Sequence, residues 1–218
     1  MPISRRVKAL PIFSWRYTAD VRQWLGIVMA GAAVTAALAA QPRDRIKWPA
    51  QAVIQVWLDP RTAPPGAGAL VDRALATWNA AAAGRFVLRS AESRDSANVR
   101  VRFAQADGIY GETAPRIDRS TGFIGSADVL IAGDIAGDAT EQRIVIYLTA
   151  LHELGHALGL PHTDAFDDIM YRFRRPDAGA RYFGAYRRRL RSAEDIGSER
   201  ATGLSPADVA ALQSLYDR

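Results

Sequence analysis

Every histidine of this 218-residue chain lies in one short stretch, ALHELGHALGLPHT, residues 150–163. His152 and His156 stand four apart in a run, from about Thr140 to Leu158, whose Ile144, Leu148, Leu151 and Leu158 recur at helical spacing. Residues four apart share a helix face, so the two imidazoles can meet one metal ion. Gly159 follows where a helix can end in a left-handed residue, Pro161 stiffens the turn, and His162 can return to the same ion. Three neutral nitrogens leave a fourth position for water, the arrangement of catalytic rather than closed structural zinc. Glu153 projects beside that position and is the candidate general base and acid. The chemistry implied is hydrolysis of a peptide bond by an activated water at one zinc ion, with no covalent intermediate.

A bare HExxH pattern also arises by chance on ordinary helices, but here the pattern extends to HExxHxxGxxH and uses every histidine of the chain. HELGHALGLPH, residues 152–162, resembles the zinc motif of the metzincin metallopeptidases, in particular the matrixin-like branch. DIMY, residues 168–171, is similar to that family's Met-turn, which implies that Met170 forms an apolar floor beneath the metal. In the astacin-like and serralysin-like branches a zinc-binding tyrosine lies two positions after the methionine. Arg172 holds that place, so Tyr171 is not assigned to the metal.

The resemblance extends over most of residues 47–217. ALATWNAA (74–81) is similar to the family's first helix, and LSPADVAALQSLYD (204–217) to its terminal helix. It implies a metzincin-like zincin domain of the α+β class, with a twisted mixed sheet, a long active-site helix and a C-terminal helix. It also implies that Gly111 to Arg116 form an edge strand along the cleft, to which an extended protein or peptide substrate adds as a further strand. Two family features have no counterpart: no histidine remains for a second, structural zinc, and no cysteine for a thiol latch.

The elements that must position these residues can be read independently. AVIQVWLD (52–59), RFVLRS (85–90), NVRVRFA (98–104) and ADVLIA (127–132) read as strands, with a shorter candidate at Gly111–Ile117. In the third of these Val99, Val101 and Phe103 face one side, Arg100 and Arg102 the other. Leu70, Ala74, Leu75 and Trp78 mark a helix over Ala69–Ala83 that can stop at Gly84. Ser205 and Pro206 supply the N-cap and first position of a last helix whose Val209, Leu212 and Leu215 form an apolar face. Strand, helix, several strands and helix again give an α+β domain with a mixed or antiparallel sheet.

A net charge of +5 invites nucleic acid. Arg5, Arg6, Lys8, Arg16 and Arg22 against Asp20 alone place +4 of it before residue 41, so a nucleic-acid role is not expected of the rest. That basic leader precedes the uncharged run Trp24–Ala40, which ends in small residues, as in a secretory signal peptide cut near Ala39 or Ala40. A retained signal anchor and a buried core helix are the other readings. Residues 1–40 are thus expected to export a peptidase domain of residues 41–218 to the periplasm or the exterior. Membrane contact is expected only through residues 24–40 if they stay attached. The absence of cysteine excludes disulfides, thiolate metal ligands and a thiol nucleophile.

Residues 172–191 carry eight arginines against Asp177 and read as an insertion. A solvated basic loop or helix is the plain reading. The sharper ones are that Arg172, Arg174 and Arg175 favour acidic substrates, or that Arg187 to Arg191 touch anionic lipid or polysaccharide. Tyr182, Phe183 and Tyr186 read as a cleft cap or as core. Asp128, Asp134, Asp138 and Glu141 could gather a Ca²⁺ ion, with turn and capping duty the favoured reading. The expected function is an exported zinc endopeptidase. A noncatalytic zinc-stabilised binding module of the cell envelope, or a hydrolase of cell-wall peptide bonds, is the alternative.

Overall fold

The computed structural model describes residues 14–17, 46–105, 108–175 and 177–217; the apolar run Trp24–Ala40 lies outside them. Six strands form one sheet: β1 (Ser14–Tyr17), β2 (Val53–Leu58), β3 (Val87–Ser90), β4 (Val99–Ala104), β5 (Ile109–Ile117) and β6 (Ile124–Ala132). Their order is β1-β5-β6-β4-β2-β3, and every neighbouring pair is parallel except the antiparallel β5–β6 hairpin. The sheet is therefore mixed and the domain α+β. Alternation behaves as expected in β4, where Val99, Val101 and Phe103 are buried and Arg102 is exposed.

Both hairpin strands begin earlier than their sequences suggest, β5 at Ile109 and β6 at Ile124. β6 gains its early residues from the hairpin: Gly122 takes φ +74° at the turn, Asp118 N–H donates to the Phe123 carbonyl, and Ile117 pairs with Ile124. β5 gains Ile109 by pairing that residue with Ser14 of β1. On its other side β5 pairs with β1, Trp15 opposite Gly111 and Tyr17 opposite Thr113. Part of the N-terminal segment thus lies along the β5 edge.

Four α-helices complete the domain: α1 (Ala67–Ala82), α2 (Ala139–Ala157), α3 (Ala178–Arg187) and α4 (Pro206–Tyr216). Every residue of α2 from Ile144 to Ala157 is buried, because β5 and β6 cover one side while α1 and α3 pack on others. Among the described residues no helix is long and apolar enough to cross a membrane. The start of α2 is capped by Asp138, whose side chain accepts from Glu141 N–H at 2.9 Å.

Its other end satisfies each terminal carbonyl with a named partner. Leu160 N–H donates to Gly155, Gly159 N–H to His156, the Trp48 indole to Ala157 and the Tyr216 hydroxyl to Leu158. Gly159 makes this possible: its φ is +96°, and a Cβ there would stand 2.0 Å from the Ile46 carbonyl oxygen. Gly159→Ala should cost at least about 1–3 kcal/mol in urea unfolding. It should also weaken zinc binding, read by competition with a chromophoric chelator, because His162 sits three residues downstream.

Candidate metal centre and catalytic site

The three histidines come together. The Nε2 atom of His162 lies 3.3 Å from that of His152 and 3.2 Å from that of His156. Nitrogens about 2.0–2.1 Å from a tetrahedral zinc stand about 3.3 Å apart, so the donor set fits that ion. The orientation is imposed from behind. His152 Nδ1 lies 2.6 Å from the Ile169 carbonyl oxygen and His156 Nδ1 lies 2.8 Å from that of Leu160. A carbonyl only accepts, so both rings carry their proton on Nδ1 and turn a bare Nε2 toward the centre.

Burial keeps the rings neutral. It holds His152 far below the ordinary imidazole value and His156 at about 3, with the neighbouring His162 adding to both effects. His162 stands at about 4, through burial and then the charge of Arg172. Neutral imidazoles are the form a metal requires.

The methionine floor is a matter of contact. Met170 is buried, and a Cβ on Gly155 would stand 2.5 Å from its sulfur. Gly155, the fourth residue of HELGH, leaves the room in which the Met170 side chain packs onto α2. Asp208 pins that turn, accepting Ile169 N–H at 2.8 Å while it also caps α4 through Ser205 N–H. Asp168, on the same turn, accepts from the Ser205 hydroxyl at 2.7 Å. A line of bonds therefore runs from α4 through Ile169 to His152, and no spacing in the sequence links Asp208 to the Met-turn.

Glu153 is buried beside the histidines. Its Oε2 accepts from the Thr113 hydroxyl at 2.5 Å, and its Oε1 has no partner. Burial pushes its carboxyl well above the usual range, the Thr113 bond opposing this and the Glu112 charge adding to it. An orphaned carboxyl oxygen on the residue that follows the first histidine of the cluster has the chemistry of a proton acceptor.

The basic segment divides by side. Tyr182 donates to the Asp168 carbonyl, Tyr186 to that of Ala201, and Phe183 packs edge-on to Tyr110 with ring centres 4.9 Å apart. All three aromatics are core. Arg187 reaches Asp138 at 2.8 Å and Arg174 reaches Asp164 at 2.7 Å. Arg174, Arg175 and Arg181 line a hollow of about 410 Å³ with Asp164, Phe166 and Tyr171. Of the carboxylates considered for calcium, Asp138 caps α2 and Asp128 pairs with Arg116 at 2.6 Å. Among the described residues the three histidines form the one group of three or more acidic, cysteine or histidine side chains close enough to share an ion.

The donor set and its depth in an α+β domain define a zinc site, and the family match assigns that site to a metallopeptidase. The family model of the matrixins matches residues 60–182, more than half of the chain, and the chain belongs to the matrixin family. The match ends inside α3, so α4 and its clamp on the Met-turn lie beyond it. No curated protein matches the sequence.

Unfolded imidazoles titrate near about 6.5, so below that pH the unfolded chain binds protons that the fold excludes. The stability of the metal-free protein should be complete above that value and fall as pH drops toward 4. Glu153, raised rather than lowered, works in the opposite sense but is one group against three. Thermal melting in chelator between pH 7.5 and 4.5 measures this, and His156→Gln should make the fall shallower.

Proposed function

We propose that this chain is an exported zinc endopeptidase of the metzincin type, with His152, His156 and His162 as ligands and Glu153 as general base. The observation that supports it most is the convergence of the three Nε2 atoms, with the unpartnered Oε1 of Glu153 on the residue that follows the first of these histidines. When bound there, zinc lowers the pKa of a water to about 7 and polarises the carbonyl of the scissile bond. Glu153 takes the proton of the attacking water and delivers it to the departing amine. Met170 and the carbonyls of Ile169 and Leu160 keep the ligand rings from turning away.

The substrate is read as an extended peptide lying along β5, where main-chain hydrogen bonds give affinity with little demand on sequence. Ser14–Tyr17 occupy that edge over Ile109–Thr113, so leader and substrate compete for the same bonds. Export resolves the competition. If Trp24–Ala40 is cut off or inserted in a membrane, residues 14–17 and the domain can no longer pair.

A quenched fluorescent peptide library, with zinc content determined in parallel, tests this on the full chain, on Glu153→Ala and on a chain starting at residue 41. The expected outcome is about one zinc in all three, cleavage lost by at least about a thousandfold in Glu153→Ala, and a lower KM for the shortened chain. Zinc in all three with no cleavage in any would support the noncatalytic binding module, and cleavage confined to cell-wall digests the other alternative.

A further inference from the structure

The site contains a residue for which neither motif nor spacing gives a role. Thr113 lies on β5, fully buried, and its Oγ1 stands 2.5 Å from Glu153 Oε2 and 3.0 Å from the Glu153 main-chain carbonyl oxygen. Its hydroxyl has a single proton, and an ionised carboxylate only accepts. The contact to Oε2 is the shorter by 0.5 Å, so the proton belongs to Oε2.

Gly111, two residues earlier on β5, completes the arrangement. Residues i and i+2 face the same side of a strand, and a Cβ at Gly111 would stand 2.7 Å from both Cγ and Oε1 of Glu153. The strand therefore supplies empty volume at one position and a hydroxyl at the next, and the carboxyl fits between them. Of its two oxygens, Oε2 is engaged and Oε1 is without a partner.

We propose that Thr113 is the positioning residue of the general base, dividing the two carboxyl oxygens of Glu153 between anchorage and proton transfer. Thr113 holds Oε2 whether the carboxyl is ionised or protonated, since a carboxylic acid's carbonyl oxygen still accepts. Oε1 alone takes the proton from water and releases it to the leaving amine. The threonine keeps its own proton throughout, so protons balance across the cycle. The inference rests on Glu153 acting as the general base.

The test uses the full chain with Thr113→Val, Thr113→Ser and Thr113→Ala beside Glu153→Ala, each checked for folding by its melting temperature and for about one bound zinc. Thr113→Val removes the hydroxyl and keeps the shape. It should lower kcat about 10- to 100-fold with KM within about twofold, while Thr113→Ser stays within about threefold of wild type. Binding of acetohydroxamate by calorimetry gives a readout apart from turnover: its hydroxyl meets the carboxyl, so affinity should fall about tenfold in Thr113→Val and recover in Thr113→Ser. If Thr113→Val does not fold, Thr113→Ala is held to the same criteria.

Wild-type kcat and hydroxamate affinity in the folded valine variant would overturn the proposal. So would a raised KM with unchanged kcat, which would assign Thr113 to substrate pairing instead. Failure of the underlying reading shows separately, as undiminished cleavage by Glu153→Ala, and removes the proposal with it.

Discussion

Three uncharged imidazole lone pairs have to meet in a place from which water is largely excluded, and most of the architecture answers to that requirement. A buried ring stays neutral and correctly turned only if its second nitrogen has a fixed partner. Here the partners are main-chain carbonyls, Ile169 for His152 and Leu160 for His156. Each carbonyl must itself be immobile. Leu160 is held by the reversal at Gly159, and Ile169 by the carboxylate of Asp208 at the start of α4. The terminal helix thus contributes to ligand geometry although it supplies no ligand.

Glu153 presents the opposite demand, since a carboxyl with a free oxygen is the least favourable group to bury. The fold meets the demand through β5, the one strand whose pairing with β6 is antiparallel. Gly111 lets the strand lie almost on the carboxyl, and Thr113 supplies the single compensating bond. The same strand carries the edge on which β1 sits. The pocket for the Glu153 carboxyl and the edge that pairs with β1 therefore belong to one strand, and any displacement of β5 alters both.

Charge in this chain misleads when it is summed. Residues before 41 hold most of the net excess, and the arginine-rich segment contains a helix that buries its aromatics and presents its guanidinium groups outward. Tyr182 braces the Met-turn from that helix, through its bond to the Asp168 carbonyl. Arg187 ties the other end to the Asp138 cap of α2. A segment that reads as basic and solvated is half structural, because residues three and four apart share a side of α3, which gathers Tyr182, Phe183 and Tyr186 on the inner one.

Helix spacing and a tight glycine turn are local, so His152, His156, His162 and Glu153 could be named as one site from sequence alone. The strands and the capped terminal helix were legible for the same reason, through period and punctuation. Thr113 is forty residues from Glu153 and Asp208 is thirty-nine from Ile169. Their contacts arise from sheet register and helix docking, which leave no periodic mark. The early starts of β5 and β6, the burial of α2 all round and the occupation of the β5 edge by Ser14–Tyr17 were likewise decided by pairing partners distant in the chain. The sequence by itself determined which side chains could do the chemistry. Only the tertiary structure decided which oxygen of Glu153 is anchored and which ring nitrogens face the metal, because those choices depend on hydrogen-bond partners that the fold brings in from elsewhere.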